Sequence, residues 1–103
     1  MKKIITFGNN KAILELRGSI ATIVIAKLQV NTPFPPEIAQ LADRLNESEL
    51  IDVRRIFPGR GKIDFIINAD ATNADIVNVV LECITCIYNT DTILSNERPE
   101  TVV

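Results

Sequence analysis

Residues 72–89 constrain this chain more than any other stretch, because they read as a helix with more apolar surface than one contact can cover. Thr72-Asn73-Ala74-Asp75 forms a capping box. A Thr hydroxyl accepts from an orphan helix N–H, and a carboxylate stands three residues on. At about 100° per residue, Asp75, Asn78, Glu82, Thr85 and Asn89 fall on one narrow polar stripe. The other positions from Ile76 to Tyr88 are apolar. Their arc spans roughly 220°, whereas a helix lying on a single sheet needs little more than about 100°. A second surface must meet the excess, from another element or from another chain.

The rest of the chain is that of one globular domain. A length of 103 residues is just enough for a self-sufficient core, and 47% hydrophobic residues argue against global disorder. The domain is placed at residues 1–94, with 95–103 as a polar, mobile tail. A net charge of -2 disfavours a protein that coats nucleic acid or anionic membrane with its whole surface. Any such role must be local to a patch. Met1-Lys2-Lys3-Ile4-Ile5 imitates the start of a signal peptide, but Gly8-Asn9-Asn10-Lys11 ends the apolar run at once. The apolar run at 20–26 is far short of the ~20 residues that span a bilayer, so no membrane partner is expected. Two cysteines without a secretion signal point to the cytoplasm and to free thiols.

Residues 3–7 and 12–17 read as strands joined by a turn rich in Gly and Asn. Ala12, Leu14 and Leu16 alternate with Ile13, Glu15 and Arg17, which gives that strand one dry face. Residues 20–30 favour a strand by their β-branched content, and Ser19 as an N-cap keeps a helix open. Three prolines make 31–36 a connector. It leads into a helix at 37–46 whose Ile38, Leu41, Ala42 and Leu45 form one face, needing one surface only. Residues 51–57 and 62–68 are strands around a Pro58-Gly59 turn. The order ββ(β)αββα predicts an α+β fold: a mainly antiparallel sheet of four to five strands with two helices on one face.

No motif names a chemistry. The densest cluster of cations is the hairpin Arg54, Arg55, Arg60 and Lys62, four of eleven basic residues within nine positions and no acid among them. Guanidinium groups there suit phosphate oxygens, and Phe57 offers a base a stacking surface. The plainer reading pairs these cations with Asp52 and Asp64 across the strands. Cys83 and Cys86 have the spacing of a redox pair but sit in the second half of the helix, away from the N-terminal dipole that activates such thiols. They read as small core hydrophobes. Residues 70–75 hold oxygen ligands for Mg²⁺ or Ca²⁺, but the same residues are what a helix start requires. The terminal Thr101-Val102-Val103 has the pattern of a peptide captured by its carboxylate. There is no histidine and no nucleophile signature, so no catalytic residue, metal or cofactor is assigned and the protein is expected not to be an enzyme.

Two functions are therefore expected. The first is an interaction domain that pairs with itself, as a homodimer, through Ile76, Val79, Val80, Cys83, Cys86 and Ile87 of the long helix. The alternative is a module for nucleic acid or another polyanion that uses Arg54, Arg55, Phe57, Arg60 and Lys62. An acidic protein is a further partner for the same hairpin.

Overall fold

The computed structural model of the chain describes residues 1–8, 10–26, 36–57 and 60–96. Its elements run β1 (Lys2–Phe7), β2 (Asn10–Arg17), β3 (Ile20–Ala26), α1 (Pro36–Asn46), β4 (Ile51–Phe57), β5 (Lys62–Ile67), α2 (Asn73–Tyr88) and β6 (Thr92–Asn96). The strands form one sheet in the order β4-β5-β3-β2-β1-β6, and every neighbouring pair is antiparallel. The predicted α+β class holds, with six strands among the described residues rather than four to five.

Local chemistry accounts for the first three strands. Phe7 pairs with Asn10 and Arg17 with Ile20, so both hairpins turn through two residues. Gly8 and Gly18 take φ of 60° and 61° at the first turn position, a conformation that matches the twist of the flanking strands and that a side chain would strain. Residues 20–26 are strand, the first of the two alternatives; 27–30 lie outside the described residues. The proline connector at 31–35 and the C-terminal residues 97–103, with the carboxylate-peptide pattern, lie outside them too.

Both helices cover the same sheet face. Alternate strand residues point toward them and are buried, among them Ile5, Phe7, Leu14, Ile23, Ile63 and Phe65. Ile38, Leu41, Ala42 and Leu45 of α1 join that core as their spacing predicts. α1 lies over β4, α2 lies over β1 and β6, and the helices pack on each other. The extents of 42 × 39 × 22 Å are those of a slab two layers thick.

This packing supplies the second surface that α2 requires. Ile76, Val77, Val80, Cys83 and Ile84 are buried, while Asp75, Asn78, Glu82, Thr85 and Asn89 are exposed, as the polar stripe predicts. The expectation that α1 needs one surface only is corrected: it meets both β4 and α2, and so takes up part of α2's apolar arc. The Thr72 hydroxyl accepts from the Asp75 N–H at 3.1 Å, and the Asp75 carboxylate accepts from the Thr72 N–H at 3.1 Å. The cation-ligand alternative for 70–75 thus gives way to a closed capping box. α2 ends at Asn89 in the left-handed region, φ 50°.

The sequence reading missed β6 and ended the domain at residue 94. Strand pairing with β1 instead runs from Thr92 to Asn96, so Ser95 and Asn96 belong to the sheet rather than to a tail. Its brevity hides it in the sequence, although Asn89-Thr90-Asp91 marks the turn before it.

Two substitutions test this account. Thr72→Ala is expected to lower the stability of the domain by about 1 kcal/mol in urea unfolding, with the m-value unchanged. Phe65→Ala, which empties a fully buried site, is expected to cost about 3–5 kcal/mol by the same measurement.

Candidate functional site

Among the described residues the second sheet face carries no helix, and its side chains stand in register from one strand to the next. One row runs Lys2, Glu15, Thr22, Asp64, Arg55 across five strands. The next runs Ser95, Ile4, Ile13, Val24, Lys62, Phe57. The basic hairpin therefore shares a face with the amino-terminal strands, a neighbourhood set by the pairing of β3 with β5.

Within these rows the acids are occupied. Glu15 lies 3.0 Å from Arg17 and 3.8 Å from Lys2, and Asp64 lies 3.9 Å from Lys62 while accepting from the Thr22 hydroxyl at 3.0 Å. Asp52 pairs with Arg54 at 3.1 Å. The alternative that Asp52 and Asp64 neutralise the hairpin thus describes Arg54 and Lys62, with each pair along its own strand rather than across strands. These pairs, all at least partly open to solvent, contribute little to stability. Arg55 and Arg60 have no carboxylate within 4.0 Å among the described residues, nor does Lys11 on the same face. The Lys62 ammonium lies 5.3 Å from the centroid of the Phe57 ring, within reach of a cation–π contact. Arg54 and Arg55 line one depression with Ile20, Asp64 and Ile66, where β4 bulges between Val53 and Arg55 and sets an extra residue opposite β5.

Charge divides between the two layers. The eight basic residues Lys2, Lys3, Lys11, Arg17, Arg54, Arg55, Arg60 and Lys62 lie on the strands and their turns, against three acids, Glu15, Asp52 and Asp64. The helices and their connecting loops hold eight acids, with Arg44 the one base among the described residues. The net charge of -2 conceals this division. Composition also hid Lys2, Lys11 and Arg17 as members of the cationic surface. Their positions on alternating strands were the available signal, but which strand lies beside the hairpin is a matter of topology. A shallow depression of about 490 Å³ sits among Lys2, Arg17, Lys62, Glu15 and Thr22, floored by Ile13 and Val24.

On the helical side, the residues assigned to a helix interface divide. Ile76, Val80 and Cys83 are 0%, 0% and 6% exposed and are covered by the chain itself, which corrects their assignment to an outer surface. Val79 and Ile87 are half-buried and Cys86 is exposed. Val79, Cys83 and Cys86 border a groove of about 450 Å³ beside Arg44, Glu47 and Glu82, where the Arg44 guanidinium donates to Cys86 Sγ at 3.2 Å. Both cysteines are free thiols, and burial pushes the Cys83 thiol up to about 11 despite the opposing influence of Arg44. Burial, with Glu37 adding to it, likewise pushes Tyr88 up to about 12. The Tyr88 ring packs 4.7 Å from that of Phe7.

Among the described residues, no group of three or more Cys, Asp or Glu side chains is arranged to hold a metal ion, and no helix is long and apolar enough to cross a membrane. Comparison with protein-family models, curated proteins and solved structures gives no match for this chain.

The two raised pKa values have a signed consequence. Folding holds protons that the unfolded chain releases, so this stability is present below about pH 9 and is lost as pH rises. The loss runs from 9.0 to about 11 for Cys83 and from 10.0 to about 12 for Tyr88. Cys83→Ala is expected to flatten the fall between pH 9 and 11 in urea titrations. Iodoacetamide at neutral pH should label Cys86 and spare Cys83 until denaturant is added, as read by peptide mass.

Proposed function

We propose that this protein is a non-enzymatic binding module whose bare sheet face takes a single-stranded nucleic acid. One observation carries the reading: the cations are gathered on the strands and the acids on the helical layer. A ligand with repeated negative charge is attracted to the sheet and repelled by the opposite side, which fixes its docking orientation. The cations flank a strip of Ile4, Ile13 and Val24 and one aromatic ring, Phe57. This combination suits a backbone of phosphates with bases laid on the sheet. Among the described residues this face presents no element that enters a duplex groove, so a single strand fits better than a double helix. Arg55, Arg60 and Lys11, which have no acid to neutralise them among the described residues, are the cations most available to phosphate.

Fluorescence anisotropy with a short labelled oligothymidylate at low salt tests the proposal. Binding is expected to weaken steeply as salt rises, because phosphate contacts release counterions. The double variant Arg55→Glu, Lys62→Glu should lower affinity on the order of tenfold or more, and the salt slope should fall by about 1 for each phosphate that is no longer neutralised. Arg44→Glu, on the helical layer, should leave binding unchanged. Silence toward single strands, duplexes and heparin alike at low salt would remove the reading.

A further inference from the structure

The two edges of the sheet are built differently. β4 ends one side with a bulge between Val53 and Arg55 and with exposed Asp52, Arg54 and Arg55. Charges and bulges on an edge prevent a further strand from adding to it. β6 ends the other side with Thr92-Ile93-Leu94-Ser95-Asn96, which has no charge, no proline and an unbroken register with β1 over five residues. Its two apolar side chains are exposed, Ile93 at 67% and Leu94 at 39%, and they lie on opposite faces of the strand. A strand of this kind is a template for pairing.

We propose that the outer edge of β6 pairs antiparallel with β6 of a second copy of this chain, joining two six-stranded sheets into one. Three features favour a second copy over another occupant. The segment is uncharged, so two of them meet without repulsion. Antiparallel pairing about a two-fold axis uses the same edge on both partners and closes. Pairing β6 onto β4 of the next molecule would instead propagate without end, and the bulge and charges of β4 oppose it. What remains exposed after closure is the blunted edge at each end.

The helical layer adds to the same border. Val79, Cys83 and Cys86 face the groove toward α1. Leu81, about 160° round the helix from Cys83, lies on the opposite flank of α2, and α2 packs over β6. Leu81 is half-buried, so pairing at β6 brings Leu81 and Leu94 of both copies toward the two-fold axis on the helical side. The interface lies beside α2 rather than on its buried Ile76, Val80 and Cys83. An axis perpendicular to the sheet also leaves both bare faces on one side, doubling the cationic surface. The pairing itself stands independently of what that surface binds.

Light scattering on a sizing column, with no nucleic acid present, tests the proposal. The native chain is expected at twice its 11.4 kDa. Ile93→Lys, at an exposed position, should halve that mass with the far-ultraviolet circular dichroism unchanged. Val79→Lys, on the groove toward α1, should remain dimeric. A monomeric native chain at tens of micromolar, or an Ile93→Lys protein that is still a dimer, would overturn it, as would dissociation by Val79→Lys alone. Amide exchange on the native chain gives a second reading: protection at residues 92–96 should rise with protein concentration, and protection independent of concentration would count against the pairing.

Discussion

The pairing of β3 with β5 joins a three-stranded amino-terminal meander to a hairpin that arrives after α1, and both faces of the molecule depend on its register. On the covered face it sets Ala21 opposite Phe65 and Ile23 opposite Ile63, all buried. On the bare face it sets Thr22 beside Asp64, with a hydroxyl-to-carboxylate hydrogen bond of 3.0 Å. A slip of one residue would turn Ile63 and Phe65 outward and bring Lys62 and Asp64 beneath the helices. Such a slip is opposed by the burial of those apolar side chains, each worth roughly 1.5–3 kcal/mol. Backbone bonds beyond the ladder, Ile67 N–H to Ser19 C=O and Ile25 N–H to Gly61 C=O, both 2.8 Å, fix the two ends of the pairing.

That long-range pairing separates what could be read in the sequence from what could not. The polar stripe of α2, the single face of α1 and the alternation of Ile63, Phe65 and Ile67 follow from periodicity within one element, and all appear in the structure. The Thr72 cap is as local, and it too was legible. Packing between distant elements left no such signal. The apolar excess of α2 was visible, but its neighbour α1 was not, because α1 carries no spare apolar stripe to advertise the contact. β6 escaped because its five residues are few and polar at both ends. For the candidate site, Arg54, Arg55, Phe57, Arg60 and Lys62 were found as a run, while Lys2, Lys11 and Arg17 needed the strand order to join them.

The division of charge has a physical cost that bears on its meaning. Eight acids on the helical layer and its loops repel one another, and placing bases among them would relieve this. Arg44 does so at one point. The strands show the complementary excess, where three acids face eight bases. Pairs such as Lys2–Glu15 and Lys62–Asp64, at 3.8 and 3.9 Å, are loose and partly solvated, so they stabilise the sheet only slightly. Over the distances that separate the layers, salt screens most of the remaining attraction. The arrangement is thus not accounted for by stability, and it orients the molecule in an external field.

A bare antiparallel face is ordinary, since such sheets commonly leave one side to water. Ile4, Ile13 and Val24 on that face need no ligand to explain them: β-branched residues suit a strand even when half exposed. The cations are different, because strand propensity disfavours lysine and gives no reason for arginines on a bulge. Arg55 stands where β4 sets two residues against one, a geometry that turns neighbouring side chains to the same side and interrupts the ladder. The same distortion blunts the β4 edge against other strands while gathering Arg54 and Arg55 over the bare face. At β6 neither device is present, and Ile93, 67% exposed, is the most exposed large apolar side chain among the described residues. One edge of the molecule thus refuses a strand and presents charge, and the other presents backbone and apolar surface.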